Sequence, residues 1–570
     1  MVKGFSILNN RQLEVMIETI KNLSDLKLKL SIIVIAAVLF LPFLGSVHLF
    51  DWDEINFAEA SREMIETGDW LRVHIDYEPF YEKPPLFFWV QVISMKIFGI
   101  NEFGARFPNA IIGIITLLLL YSFGKRLFDR SFGLLWVVAY AGSILPYFYF
   151  RSGILDPLFN LFMFISAWYI FRFFDDEEGK NYNYLYAGFF SGLAILVKGP
   201  VGLLLPGLTF IIFNLITIKK FRFKIIQMLL FGIVAILTAG VWFGVELSVN
   251  GPVFLEAFFK YQIRLLTTGD AGFSGPIYYH LVVVLIGCFP ASLFIFNSFK
   301  KQDSLTDGQK NFKLVMFILL AVVMIIFSVV KTKIVHYSSL SYYPVTFLGA
   351  LVLYEIVNER LTNFKWTKIA IVITGVFIGL LISALAMIGI FKEDIIPYVQ
   401  DEFVRANLQA DSLWYGYEPV IGLLLVGTTI FAVILFNKRK PMRGVLFLFG
   451  GTALTLSLML PLMLPQIENY VQGAPVGFYE SLQGKDVYVK AVGFRSYADI
   501  YYSKKEKKNS ASGIGILHKD IEDFLINGDI KKPAYFVTKI NERDKWTKIP
   551  NLKVLYEKNG FIFLQRREKP

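Results

Sequence analysis

The chain has 570 residues, 55% of them hydrophobic, a net charge of +11 and a single cysteine, Cys288. Apolar runs of about 18 residues or more recur along it, which excludes a soluble globule and marks a polytopic membrane protein. One thiol excludes an internal disulfide or a paired-thiol metal site, and bases confined to short loops between apolar runs read as orientation in a bilayer rather than affinity for nucleic acid.

Residues 1–30 are polar and lack a cleavable signal. Leu13, Val15, Met16, Ile17 and Ile20 predict an amphipathic cytoplasmic helix on the membrane surface. Thirteen apolar runs follow, at 30–49, 104–123, 131–149, 156–174, 183–197, 200–218, 225–246, 277–299, 314–330, 338–356, 367–391, 416–436 and 444–464. The loops at 125–130, 219–224, 300–313, 358–368 and 437–443 are basic, and all five share the inner side if each run crosses once. That parity requires the short run at 84–99 not to cross; with Gln91 and Lys96 in it, an amphipathic helix on the outer surface is expected.

The outer side then receives 50–103, RSGILDP (151–157), 247–276, KTKIVHY (331–337) and everything after Pro465. In the tail, GKDVYVKAVGF and KPAYFVTKI read as strands, HKDIEDFLING as a helix, and LKVLYEKNGFIFLQ as a hairpin turning at Asn559 and Gly560. The expected fold is an α-helical polytopic membrane protein of about thirteen transmembrane helices. Its membrane domain covers 1–464 with an external loop at 50–103, and a small extracytoplasmic α/β domain covers 465–570.

The first loop inverts the charge of the chain: 51–85 holds ten Asp or Glu against Arg62, Arg72 and Lys83. Asp51, Asp53 and Glu54 read either as a solvated cap on the first span or as acids held at the bilayer edge to act as a base or to hold a cation. Glu82 and Lys83, before two prolines, are a surface turn or a pair that meets a phosphate. Asp156, before Pro157, is a helix N-cap or a second site acid. Arg264, Lys331, Lys333, His336 and Tyr337 bring cations and an aromatic ring to the same face, where lipid headgroups or an anionic ligand are the readings. His74 and His280 are read as structural, and no nucleotide-binding glycine motif is found.

DWDEINFAEASREMIETGDWL, YEPFYEKPPLFFW and KTKIVHYSSLSYYP resemble the motifs of GT-C membrane glycosyltransferases, in the branch of the aminoarabinose lipid A transferases and protein O-mannosyltransferases. The resemblance covers almost all of the membrane part. It implies inverting transfer of an aminoarabinose-like sugar from a polyprenyl phosphate donor to lipid A or a related envelope acceptor, on the outer face of the inner membrane. Protein O-glycosylation is the alternative, and a lipid-carrier flippase the more distant one. Asp53 is implied as the principal acid, with Asp156 and Glu82 beside it, and Lys83, Arg264 and Lys333 as phosphate contacts. Lys331, His336, Tyr337, Glu54 and Arg62 complete the expected substrate contacts. Where that family carries an acid and a histidine before the arginine, this chain has Lys260 and Tyr261. No metal ligand set is assigned, and the cofactor is left open, a divalent cation being compatible with acids facing a phosphate.

Overall fold

The computed structural model describes residues 23–567 except 176–181, 220–223, 269–273, 301 and 303. The expected amphipathic stretch at 13–20 and most of the basic loop 219–224 lie outside the described residues.

All thirteen apolar runs are helical. Eight form helices long and apolar enough to cross a bilayer, and the run 277–299 makes a ninth as two helices, Tyr279–Gly287 and Ala291–Ser298, bent by 108°. Pro290 stands in the break and has no N–H to continue the ladder. The other runs give Asp25–Phe40, Asn183–Lys198 and Val201–Ile216, of 16 residues each, and the pair Arg130–Ala141 and Ile144–Tyr149. A helix of that length rises about 24 Å, short of a hydrocarbon core of roughly 30 Å. Polar residues in the short loops start the helices. The Asn101 and Asp129 side chains accept from the amides of Gly104 and Phe132, each at 2.8 Å, and Thr306 and Gln309 form a capping box.

Among the described residues the basic loop 125–130 meets 300–313, and 358–368 meets 437–443. Lys125 reaches Asp25 at 2.8 Å, Gln309 donates to the Leu127 carbonyl at 2.9 Å, Tyr354 donates to Asp129 at 2.5 Å and Lys368 to Asn437 at 2.6 Å. The short run at 84–99 becomes the helix Leu86–Phe98, with Phe87, Phe88, Val92 and Met95 buried and Ile93 and Ile97 exposed. Its Gln91 is satisfied inside the protein, accepting from Ser61 at 2.7 Å and donating to the Ala105 carbonyl at 2.9 Å.

In the first loop a two-residue hairpin joins β1 (His74–Ile75) to β2 (Glu78–Pro79). After the last span the chain stays helical through Ala474–Ser481 and then forms a four-stranded sheet from β3 (Tyr488–Ala491), β4 (Ala534–Lys539), β5 (Leu552–Lys558) and β6 (Phe561–Arg566). The strand order is β3-β4-β6-β5, with β3 parallel to β4 and the other pairs antiparallel. The helix Ile521–Asn527 lies in the β3-to-β4 crossover, and Asn559 and Gly560, both at positive φ, turn the final hairpin.

This sheet region docks on the first loop. Leu49 N donates to Tyr502 Oη at 2.6 Å, the Lys505 carbonyl accepts from Arg62 at 3.0 Å and from Tyr77 at 2.8 Å, and Lys505 Nζ meets Asp76 at 2.8 Å.

Two of the long helices approach through small residues: a Cβ on Gly379 of Lys365–Ile390 would lie 2.6 Å from the Gly422 carbonyl of Pro419–Asn437. Gly379→Leu is expected to lower the stability of the detergent-solubilised protein by about 1–3 kcal/mol. Gly427→Leu, at a site with nothing within 4 Å, is expected to leave the thermal midpoint unchanged.

Candidate active site

The first loop owes most of its acidity to pairing. Its helix, Asp53–Thr67, is buried from Glu54 to Met64. Glu54 accepts from Arg106 at 2.8 and 3.0 Å and from the amides of Phe50 and Gly153. Burial opposes its ionisation, but Arg106 and those amides prevail and hold its pKa below the usual value. Arg62 binds Glu59 and Glu66, Arg72 binds Glu246, and Asp76 takes Lys505. Glu63 lies beside Glu59 with its Oε2 accepting from Tyr77 N at 2.8 Å and its Oε1 unpartnered. Burial, then the neighbouring Glu59 charge, push its pKa well up.

Of the ten loop acids, only Asp53 and Glu82 line a cavity of about 460 Å³ where segments far apart in the chain converge. Asp53 Oδ2 is 3.4 Å from His336 Nε2, and Trp52 forms the adjoining wall. Asp156 opens the helix Asp156–Asp175, and its carboxylate is 2.5 Å from Lys198 Nζ, at the end of Asn183–Lys198. Gly199 follows at φ +110°, where a Cβ would also strike Phe258, so the chain reverses there only because the residue is glycine. The Lys198 ammonium also sits 5.3 Å from the centre of the Tyr337 ring and 5.7 Å from that of Phe159.

Lys83 lies 3.7 Å from Glu82 and 4.9 Å from the centre of the Tyr261 ring, and the Arg264 guanidinium meets the same ring at 5.1 Å. One aromatic side chain thus gathers two cations. Burial lowers the Lys83 pKa from the ordinary lysine value; Glu82 opposes this and Lys198 reinforces it. The remaining wall is apolar, with Val201, Leu204, Leu205, Ile326, Phe327 and Val330.

The cavity therefore collects Asp53, Glu82, Lys83, Asp156, Arg264, His336 and Tyr337. It leaves out Glu54, Arg62, Lys331 and Lys333, which sequence reasoning had placed against substrate. Glu54 and Arg62 are consumed by the ion pairs above. Lys331 is exposed, and Lys333 turns back to donate to the carbonyls of Phe327, Ser328 and Val330 at 2.9, 2.7 and 2.6 Å, closing the C-terminus of Asp307–Val329. Sequence reasoning missed Lys198, although a lysine ending an apolar run on the outer side runs against the charge bias of the loops. It also missed Arg495 and Tyr497, which reach the cavity from the sheet region and had no local signal. Among the described residues no three His, Cys, Asp or Glu side chains are close enough to share a metal ion.

A membrane-length helical bundle, with a charged cavity enclosed by its first loop and a small terminal sheet, defines a polytopic membrane protein. Residues 82–242 match the family model described as dolichyl-phosphate-mannose-protein mannosyltransferase. An undecaprenyl phosphate-alpha-4-amino-4-deoxy-L-arabinose arabinosyl transferase of Proteus mirabilis is 28% identical over 55% of this chain and 56% of its own length, just over half of that relative. The Wigglesworthia glossinidia brevipalpis enzyme of the same name is 25% identical over 75% and 76%. The crystal structure of ArnT from Cupriavidus metallidurans bound to undecaprenyl phosphate superimposes with a TM-score of 0.74, at 19% identity, over 95% of this chain and 98% of that one, and so shares its fold. The chain therefore has the ArnT fold, and its residues 82–242 are similar in sequence to the dolichyl-phosphate-mannose-protein mannosyltransferase family.

Glu59→Gln, which strips the buried Arg62 of its inner counter-charge, is expected to cost on the order of 3 kcal/mol in thermal unfolding at neutral pH. Glu63→Gln mimics the protonated form that burial and Glu59 favour, and a change within about 1 kcal/mol is expected. The reverse ranking in a melting experiment would show that Glu63 carries the charge.

Proposed function

We propose that this enzyme transfers an aminoarabinose-like sugar from a polyprenyl phosphate to lipid A or a related envelope acceptor, on the face of the membrane opposite the basic loops. The observation that carries the reading is the division of one cavity into two chemistries. Lys83 and Arg264, gathered on Tyr261, suit a phosphate; the wall of Val201, Leu204, Leu205, Ile326, Phe327 and Val330 suits the prenyl chain attached to it. Leu204 is 44% exposed, which brings that wall to the lipid-facing surface. The Proteus and Wigglesworthia relatives bear the name of this activity.

Polyprenyl phosphate sugars are activated donors, so the chemistry asks for leaving-group stabilisation and geometry. The acceptor oxygen attacks the anomeric carbon from the side opposite the phosphate. The bond from that carbon to the phosphate oxygen breaks, and its electron pair leaves on the phosphate. Lys83 and Arg264 meet the developing charge as fixed cations in a partly dehydrated site. Asp53 removes the proton when the acceptor is a hydroxyl, and orients the acceptor when it is a phosphate oxygen. His336 lies against the Asp53 carboxylate, while Lys198, itself set against the Tyr337 ring, fixes Asp156. One specific observation favours a second reading, protein O-glycosylation: the description of the family model matching 82–242.

The test is single-turnover transfer in lipid nanodiscs with labelled polyprenyl phosphate sugars, offered lipid A or a protein acceptor. Asp53→Asn is expected to lower transfer to a hydroxyl acceptor by about 10²–10⁴ with donor binding retained. A donor that crosses between leaflets without losing its sugar, in both forms, would leave the transporter reading standing instead.

The depressed Lys83 pKa sets a second expectation. The ammonium is lost as pH rises through that lowered value, so the alkaline limb of the rate should lie below the ordinary lysine range. Lys83→Arg keeps its charge at every accessible pH and should move the limb upward; a limb that stays put belongs to another group.

A further inference from the structure

Four cationic side chains reach the cavity on three separate supports. Lys83 and Arg264 share the Tyr261 ring, and Lys198 is bound to Asp156. The fourth, Arg495, comes from the sheet region, where its guanidinium lies 5.7 Å from the centre of the Trp52 ring, next in sequence to Asp53. Arg495 is exposed and lines the cavity, yet among the described residues no carboxylate stands within ion-pair distance of it.

Its placement is built rather than incidental. Gly493, just after β3, holds φ +77°, and a Cβ there would lie 2.9 Å from Trp546 Nε1, so the turn that presents Arg495 depends on glycine. Two residues on, Tyr497 N donates to the Asp51 carboxylate at 3.3 Å, and the Tyr497 ring meets Trp52 edge to face at 5.5 Å. The segment is therefore pinned on both sides of Arg495, one end to the sheet and the other to the first loop. Rigid aromatic support lowers the entropy an arginine loses when it binds an anion.

We infer that Arg495 is a specificity-determining residue of the transfer site and that it binds a phosphomonoester on the acceptor. The inference rests on the glycosyltransferase reading above. A polyprenyl phosphate donor brings one phosphate, which Lys83 and Arg264 receive. The remaining cation, with no carboxylate partner and held beside the acid that faces the acceptor, is left for a second anion. Arg495 forms no bond in the reaction; its fork of N–H donors holds the acceptor phosphate in register with the anomeric carbon.

The experiment is equilibrium binding to the full-length protein in nanodiscs of neutral lipid, with three probes: a bisphosphorylated disaccharide lipid, the same lipid after dephosphorylation, and a polyprenyl phosphate. Arg495→Gln is expected to weaken the phosphorylated acceptor about tenfold, to leave the polyprenyl phosphate unchanged, and to abolish the preference for the phosphorylated form. Arg495→Lys should restore part of that preference, and an unchanged thermal midpoint separates loss of binding from loss of folding. The inference is overturned if wild type binds both acceptor forms equally, or if Arg495→Gln weakens the polyprenyl phosphate instead, which would return the residue to the donor. A transfer assay on the same samples separates the two readings: wild type that holds both lipids but moves no sugar overturns the glycosyltransferase reading, while the binding result still decides Arg495.

Discussion

A carboxylate taken out of water must find a counter-charge or a proton, and the segment 51–82 is organised by that requirement. Glu54 takes Arg106, Glu59 takes Arg62, Glu246 reaches over to Arg72, and Asp76 is met by Lys505 from the terminal sheet. Glu63, without a cation of its own, has its pKa pushed well up by burial and by Glu59. Three of these pairs each tie the loop to a different neighbour, through Arg106, Glu246 and Lys505, so the loop is a rigid layer on the bundle and not a solvated connection. Removing one partner is costlier than the pair itself is stabilising, since the group left behind remains buried.

Rigidity of this kind is what the cavity needs. Asp53 stands on the first turn of the paired helix, and Glu82 and Lys83 emerge from the same layer. The transfer proposed above depends on holding two reacting groups at a fixed distance, and a misplacement of about 1 Å costs on the order of 10²-fold in rate. The Tyr261 ring extends the principle to the cations. A flat face sets the positions of Lys83 and Arg264 without adding a charge of its own.

Much of this was legible in the residues because membrane helices and strand patterns are local. Every apolar run is helical, and the strands, the crossover helix and the Asn559-Gly560 hairpin of the tail fall where alternation and turn residues placed them. The motif residues Asp53, Glu82, Lys83, Asp156, Arg264, His336 and Tyr337 share one cavity because loop parity already put them on one face. What failed to show was which charged groups were already spent. Arg62 has its partner at i−3, Glu54 has its partner 52 residues on in another helix, and Lys333 finds carbonyls only because the preceding helix ends where it does. Helix breaks were equally hidden: the 108° bend inside 277–299 falls at a proline in a stretch that reads as one apolar run. The part played by Arg495 and Tyr497 was invisible for a different reason, since it depends on a contact between the first loop and the last hundred residues.

That contact has a consequence for when the protein can work. Tyr497 and Asp51, which hydrogen-bond at the edge of the cavity, are 446 residues apart in the chain. At ordinary rates of synthesis the first loop waits on the order of tens of seconds for the wall that completes it. Until the terminal sheet has been made, delivered to the same side of the membrane and docked through Lys505 and Tyr502, the acids of the loop stand beside an unfinished pocket. The order of manufacture thus acts as a check: a truncated or half-inserted chain carries the reactive side chains but lacks the enclosure that gives them a substrate.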